Sequence, residues 1–300
     1  MLAALSSSAF LAFVPPSQAD VVEAVASKVG KDYHRKKLPD GSFQPETFVF
    51  GKGDNWGGAR VDPTMDKVEF MDVARILAVA LAQREYLPAK DPKAADELIM
   101  VSWGATMAPE HATQSNTHIL AQQAEDQRNR ALLMLKDANL NRPSEAKAAK
   151  AMLAEADGAV LSASIGMQAE NQQREDTDMK TATLLGYDSW WVATNGAMDG
   201  SNLGRRKQDM LSELEEDRYF VVLMALDYQA LVAKKKSTLL WEARLSIREH
   251  GTAFDKQLEA MVAKASDYFG RDSGGLQHVE VPPGKVIVGQ VESLGAVPEK

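Results

Sequence analysis

The 300-residue chain contains no cysteine. That excludes disulfides, thiolate metal centres, a cysteine nucleophile and a cysteine-borne lipid anchor, and it suits an oxidising compartment. A basic surplus is also missing. Lys and Arg number 34 against 42 Asp and Glu, a formal charge of −8, so nucleic acid is not an expected partner. The sequence has no Gly-Lys-Ser/Thr and no G-x-S-x-G, which removes the Walker phosphate loop and the α/β-hydrolase nucleophile elbow. After the N-terminus no run reaches the roughly 18 apolar residues that a membrane helix requires. No transmembrane segment is therefore expected in the mature chain, and no pattern assigns a catalytic residue, a metal or a cofactor.

What is present begins with LAALSSSAFLAFV, Leu2 to Val14, an uncharged apolar run with the length of a signal-peptide core. Pro15 and Pro16 break it, and Ser17-Gln18-Ala19 offers small residues ahead of a mature start at Asp20. No Lys or Arg precedes Val14, so the basic flank of such a signal is missing. The expectation is an exported protein, periplasmic or secreted.

Periodicity then divides the chain. Residues 1–19 read as signal peptide and 20–45 as an arm or short helix. Residues 46–107 form the first half of an α/β core. They hold a strand over Thr47–Phe50, a helix from an Asp66/Glu69 capping box to near Tyr86, and a strand over Leu98–Trp103. Residues 108–200 are rich in Ala, Gln, Glu, Lys and Met and read as an inserted helical hairpin. Leu120, Ala124, Ala131, Leu132 and Leu135 mark its apolar stripe, and Ser144 caps a second helix through Ala156 that Gly158–Asp178 extends or follows with a third. Residues 201–272 return to the core: a charged helix over Leu203–Glu216, then a central strand over Arg218–Leu231. Lys234–Ser237 makes a tight connection to a half-exposed strand over Thr238–Ile247, and a helix over Phe254–Phe269 follows. Residues 273–300 form a tail with a short strand over Val286–Val291. The fold class is α/β (α+β), a mixed sheet with packed helices and an inserted helical hairpin.

Two stretches carry a resemblance. One is the helix ahead of Ala95-Asp96-Glu97-Leu98-Ile99-Met100-Val101; the other is Thr238-Leu239-Leu240-Trp241-Glu242-Ala243 ahead of the last helix. Together, over about Thr47–Thr106 and Arg218–Phe269, they resemble a family of bacterial cell-envelope domains of unknown function, often carried by lipoproteins. The resemblance implies an α/β fold and an envelope location, and it brings no catalytic residues. The helical insert and the missing lipid-attachment cysteine depart from that pattern.

The ligand-binding candidates are Lys52, Asp54 and Trp56 in the glycine-rich stretch Phe48–Thr64, and the adjacent pair Trp190 and Trp191. In the glycine stretch the lysine precedes the later glycines and Val61-Asp62-Pro63 delays the helix, so a flexible strand-to-helix connection fits better than a phosphate cradle. The tryptophans suit a clamp between insert and core better than a sugar or peptide platform, since large aromatics dominate packing contacts. His111 and His118 stand seven apart on a helix, about 10 Å along its axis and too far for one ion. His34, His250 and His278 show no partner in the sequence. Arg205–Lys207 and Lys234–Lys236 are basic clusters that suit solvated loops or an anionic surface. The leading expectation is a non-enzymatic structural or interaction module that meets an envelope protein through the helical insert. The rival is a periplasmic ligand-binding protein or hydrolase built on the glycine loop and Trp190/Trp191.

Overall fold

The computed structural model describes residues 21–53, 65, 68–108, 115–249 and 253–281. Its strands are β1 (Val21–Val29), β2 (Glu46–Lys52), β3 (Tyr86–Pro88), β4 (Glu97–Thr106), β5 (Arg218–Asp227), β6 (Leu239–Arg248) and β7 (Gln277–Val281). They form one seven-stranded sheet in the order β3-β2-β4-β5-β6-β1-β7. β2 runs parallel to β3 and β4, and every other pairing is antiparallel. This is the mixed sheet expected from the sequence.

Helices cover both faces. α1 (Phe70–Ala82) and α7 (Phe254–Ala265) lie on one face. There Val73, Leu77, Leu258 and Met261 meet Val221, Leu223, Trp241 and Leu245 in the larger core. α4 (Asp188–Thr194), α5 (Asn202–Leu214) and the C-terminal end of α3 (Ala146–Leu185) lie on the other face. There Ala182, Leu185, Tyr187, Met210 and Leu214 pack on Ala24, Phe220 and Val222. β5 serves both cores by alternation, Val221 and Leu223 to one side, Phe220 and Val222 to the other.

Several elements differ from the sequence reading. Val21–Val29 is neither arm nor helix but β1, seated between β6 and β7. α1 starts at Phe70 with no side-chain cap from Glu69, and Asp66 lies outside the described residues. The helix stops at Ala82, so Tyr86 instead opens β3; its Pro88 sits on the sheet edge, where a missing N–H costs no ladder bond. The link between β5 and β6 holds a short helix, α6 (Tyr228–Lys234), capped by the Asp227 side chain, which accepts from Ala230 N at 2.8 Å. The strand expected over Val286–Val291 lies outside the described residues.

The largest correction concerns β6. Its second face carries Glu242, Arg244 and Ser246, and all three are buried. Alternation identifies the polar face of a strand; it does not say whether anything covers that face. Here α3 does. Arg244 Nη1 donates to the Leu184 carbonyl at 3.0 Å and Nε to Glu242 Oε1 at 3.3 Å, while Lys28 Nζ reaches the same carboxylate at 2.8 Å.

The insert is a two-helix hairpin between the adjacent strands β4 and β5. α2 (Asn116–Asn141) runs 26 residues and α3 runs 40, about 60 Å of helix. Gly158 does not break α3, because one glycine costs only about 1 kcal/mol among good helix formers. Buried Ala124, Ala131 and Ala138, seven apart, face buried Ala149 and Ala156, also seven apart. Small side chains at one heptad position let two antiparallel helices close tightly. The expected stripe is narrower than its residues suggested, since Leu120 and Leu132 are exposed. Arg128 Nε donates to Asp157 Oδ1 at 2.7 Å across the pair, and Thr117 donates to Glu170 near its base.

Candidate functional site

β2 ends at Lys52, and Gly53 continues close along β4. Gly53 N donates to Val101 O at 2.8 Å, and a Cβ on Gly53 would lie 2.1 Å from Ser102 Oγ. Glycine is needed there for close approach between backbones, not for an anion. Lys52 Nζ lies 5.9 Å from the centre of the Trp103 ring, which stacks on Phe70. Asp54, Trp56 and the rest of the loop to residue 64 lie outside the described residues, as does His111. His118 faces Gln122 one turn on, its Nε2 3.2 Å from the amide nitrogen.

Trp190 and Trp191 lie on the opposite face of the sheet. Both are half-buried and pack on the smaller core. Trp190 meets Tyr187 and His278 edge-on, at 6.2 and 5.2 Å between centroids, and Arg206 lies 4.2 Å over its ring. Behind them, Tyr187 donates to Glu213, and His278 Nε2 sits 3.0 Å from Glu213 Oε2. Burial works to raise the Glu213 pKa, but His278 and Tyr187 together hold it below the usual carboxylate value. His278 therefore has the partner that no local spacing revealed. Pinned between α5 and β7, the tryptophan acts as a clamp. The sheet separates it from Lys52, so the described residues do not bring the two sequence-derived candidates together.

The densest buried polar constellation was not visible in any local motif. Tyr33, from the β1–β2 connection, places its hydroxyl 2.6 Å from Glu46 Oε2, 2.9 Å from the Tyr86 hydroxyl and 3.4 Å from Glu97 Oε1. Trp241 Nε1 donates to Glu97 Oε2 at 3.2 Å. Arg35 is sandwiched between the rings of Phe43 and Tyr86, at 4.5 and 4.1 Å, and stands 4.0 Å from both Glu46 and Glu85. A hydroxyl has one proton to give. The shortest contact takes it, so Tyr33 donates to Glu46 and Tyr86 donates to Tyr33. The contact with Glu97 is then a hydrogen bond only if Glu97 itself carries a proton. Burial first, and then the hydrogen bond and charge of Glu46, push the Glu97 pKa up to about 9, in agreement with that count. Burial raises both tyrosines as well.

Gly270 seals this network. A Cβ there would stand 1.8 Å from the Tyr86 hydroxyl, and its φ is +66°. The arrangement is a closed, proton-sharing clasp that ties the β1–β2 connection to the starts of three parallel strands. A shallow groove of about 400 Å³ between α1 and α7, lined by Asp72, Ile76, Asp255 and Lys256 among others, contains none of these groups. Among the described residues no helix is long and apolar enough to cross a membrane.

No family model and no curated protein matches this chain. Among solved structures it is similar to a PDZ domain protein from Parabacteroides distasonis ATCC 8503, with 10% identity and a TM-score of 0.36. The match covers 87% of this chain and 40% of that one, and a likeness at that level carries no functional argument.

Proposed function

We propose that the protein is a non-enzymatic interaction module, exported to the cell envelope, and that its helical hairpin is the docking arm. One observation carries this reading. Residues 158–169 of α3, GAVLSASIGMQA, contain no charged side chain, yet α2 packs along only one side of the helix. A helix stretch with no charge on any side and large apolar residues on its open side normally has that side covered as well. Here Leu161 and Ile165 are 63% and 60% exposed. The α/β core gives the arm a rigid root, because α3 ends in the smaller core and its last carbonyls meet Arg244. The apolar run Leu2–Val14 supports export. The reading built on the glycine loop and Trp190/Trp191 has no comparable support, since Lys52 and Trp190 lie on opposite faces.

A photo-reactive residue placed at Leu161, with Arg130 on α2 as the control position, tests the arm in living cells. Crosslinks to protein at Leu161 and not at Arg130 are expected; equal labelling at both, or none at Leu161, overturns the proposal. Mass spectrometry of the mature N-terminus tests export separately. A start at Asp20 in a periplasmic fraction is expected, and an intact Met1 in the cytosol contradicts it.

A further inference from the structure

The outer face of α3 has a pattern of its own. Ala151, Ala154, Gly158, Leu161, Ile165 and Ala169 follow one another at three- and four-residue steps on the side away from the α2 seam, and all six are exposed. Helical spacing of that kind makes one continuous stripe. Two glycines of α3 show that it differs from the inner side. A Cβ on Gly166 would lie 3.5 Å from Thr117 Cγ2, so Gly166 is accounted for by α2 packing. A Cβ on Gly158 would meet nothing within 4 Å. A mid-helix glycine is unfavourable unless some backbone needs to come close, and among the described residues nothing lies within 4 Å of where a Gly158 Cβ would stand.

The charges bounding the stripe say what fits it. Lys147 stands at one end and Asp176 at the other, both exposed, at equal distances from the midpoint between Leu161 and Ser162. Laid antiparallel on a second copy about that midpoint, α3 sets Lys147 against the second copy's Asp176, and the second copy's Lys147 against Asp176. Ala154 then faces Ala169, Gly158 faces Ile165, and the remaining outward charges Lys150 and Glu155 face Gln173 and Gln168. A parallel, in-register pair would instead oppose Lys147 to Lys147 and Asp176 to Asp176, which repel.

We infer that the occupant of this face is a second copy of the chain, and that two hairpins pair antiparallel through α3 about a two-fold axis beside Gly158 and Ser162. The inference rests on the docking-arm reading and names its partner. The interface is isologous, so each contact occurs twice and any change at the stripe acts twice.

The chain has no cysteine of its own, so single introduced thiols report the pairing cleanly. With the purified full chain, Ser162→Cys is expected to oxidise to a covalent dimer. Ala154→Cys alone should remain monomeric on denaturing gels, because two copies of that position stand about 22 Å apart along the pair. A mixture of Ala154→Cys and Ala169→Cys chains should crosslink. Sedimentation should show a dimer that Leu161→Lys with Ile165→Lys converts to monomer, with an unchanged far-UV spectrum. Lys147→Asp should weaken the dimer about tenfold, and adding Asp176→Lys should restore it. A monomer at all concentrations overturns the inference, as does self-crosslinking at all three positions. Neither result touches the docking-arm reading, which stands or falls on whether Leu161 crosslinks to any protein, a second copy or another, in the cell.

Discussion

The two faces of the sheet bury charge in opposite ways. The face under α1 and α7 is largely apolar and among the described residues holds two fully buried carboxyls, Glu97 in the clasp and Glu23 in β1, beside the partly open Glu46. Both Glu23 oxygens are buried without a hydrogen-bond partner among the described residues. The face under α3 holds two guanidinium groups, Arg218 and Arg244, each with protein acceptors. Arg218 Nε donates to Ser246 Oγ at 3.3 Å, and Arg244 donates to Glu242 and to the last turn of α3. A carboxyl becomes neutral by taking a proton when its surroundings do not support the charge, whereas a guanidinium stays charged and must find acceptors. The first face is therefore sealed by protons. The second is a mount, with Arg244 placed beneath the negative end of a long helix.

That contrast makes pH the strongest lever on it. Burial pushes Glu23 and Glu97 each up to about 9, against 4.5 for an ordinary glutamate. The folded protein thus keeps protons that the unfolded chain releases above pH 4.5. Their contribution to stability is complete below that value and is lost as pH rises toward 9. The expected loss between pH 5 and pH 8 is on the order of 4 kcal/mol for each group. Urea midpoints measured across that range should fall steadily. Glu97→Gln, which keeps the neutral shape, should remove about half of the slope. A stability that is flat or rising from pH 5 to pH 8 would show that neither carboxyl holds its proton.

The mount should respond to the loss of a cation instead. Arg244→Ala leaves Glu242 buried beside a single exposed lysine and strips the Leu184 carbonyl of its donor. Removing one partner of a buried pair costs about 3 kcal/mol. That loss should vary little with pH between 5 and 8, unlike the loss on the other face. Amide exchange should quicken first in the last turn of α3, and a uniform change across the chain would argue against a local mount.

The contrast also explains what was legible in the sequence. β4, β5 and β6 announced themselves by dense apolar or alternating runs, and the hairpin by its Ala, Gln and Glu content. β1 did not. In VVEAVASKV the inward positions include Glu23 and Ser27, which break the alternation that marks a half-buried strand. The tryptophan pair was recognisable as important, but its partners Arg206, Glu213 and His278 come from α5 and β7. The clasp was invisible for the same reason in stronger form. Tyr33, Glu46, Tyr86, Glu97 and Trp241 belong to five separate elements, so no spacing relates them until the sheet is assembled.

The smallest test addresses the direction of a single proton. Tyr33→Phe removes the hydroxyl that bridges the two glutamates. If that hydroxyl donates to Glu46, as its 2.6 Å contact requires, the variant frees a carboxylate that is partly open to water, its side chain 21% exposed. The cost is then that of one ordinary hydrogen bond, about 1 kcal/mol, and the pH slope due to Glu97 is preserved. If the proton pointed instead at Glu97, that glutamate would be the ionised one. Its loss would strand a fully buried charge, at about 3 kcal/mol or more, and its share of the slope would be absent in the parent as well. Chemical denaturation of the parent and of Tyr33→Phe at pH 5 and pH 8 separates the two arrangements: a small loss with the Glu97 share of the slope present in both supports the first, and a large loss with that share absent from the parent supports the second.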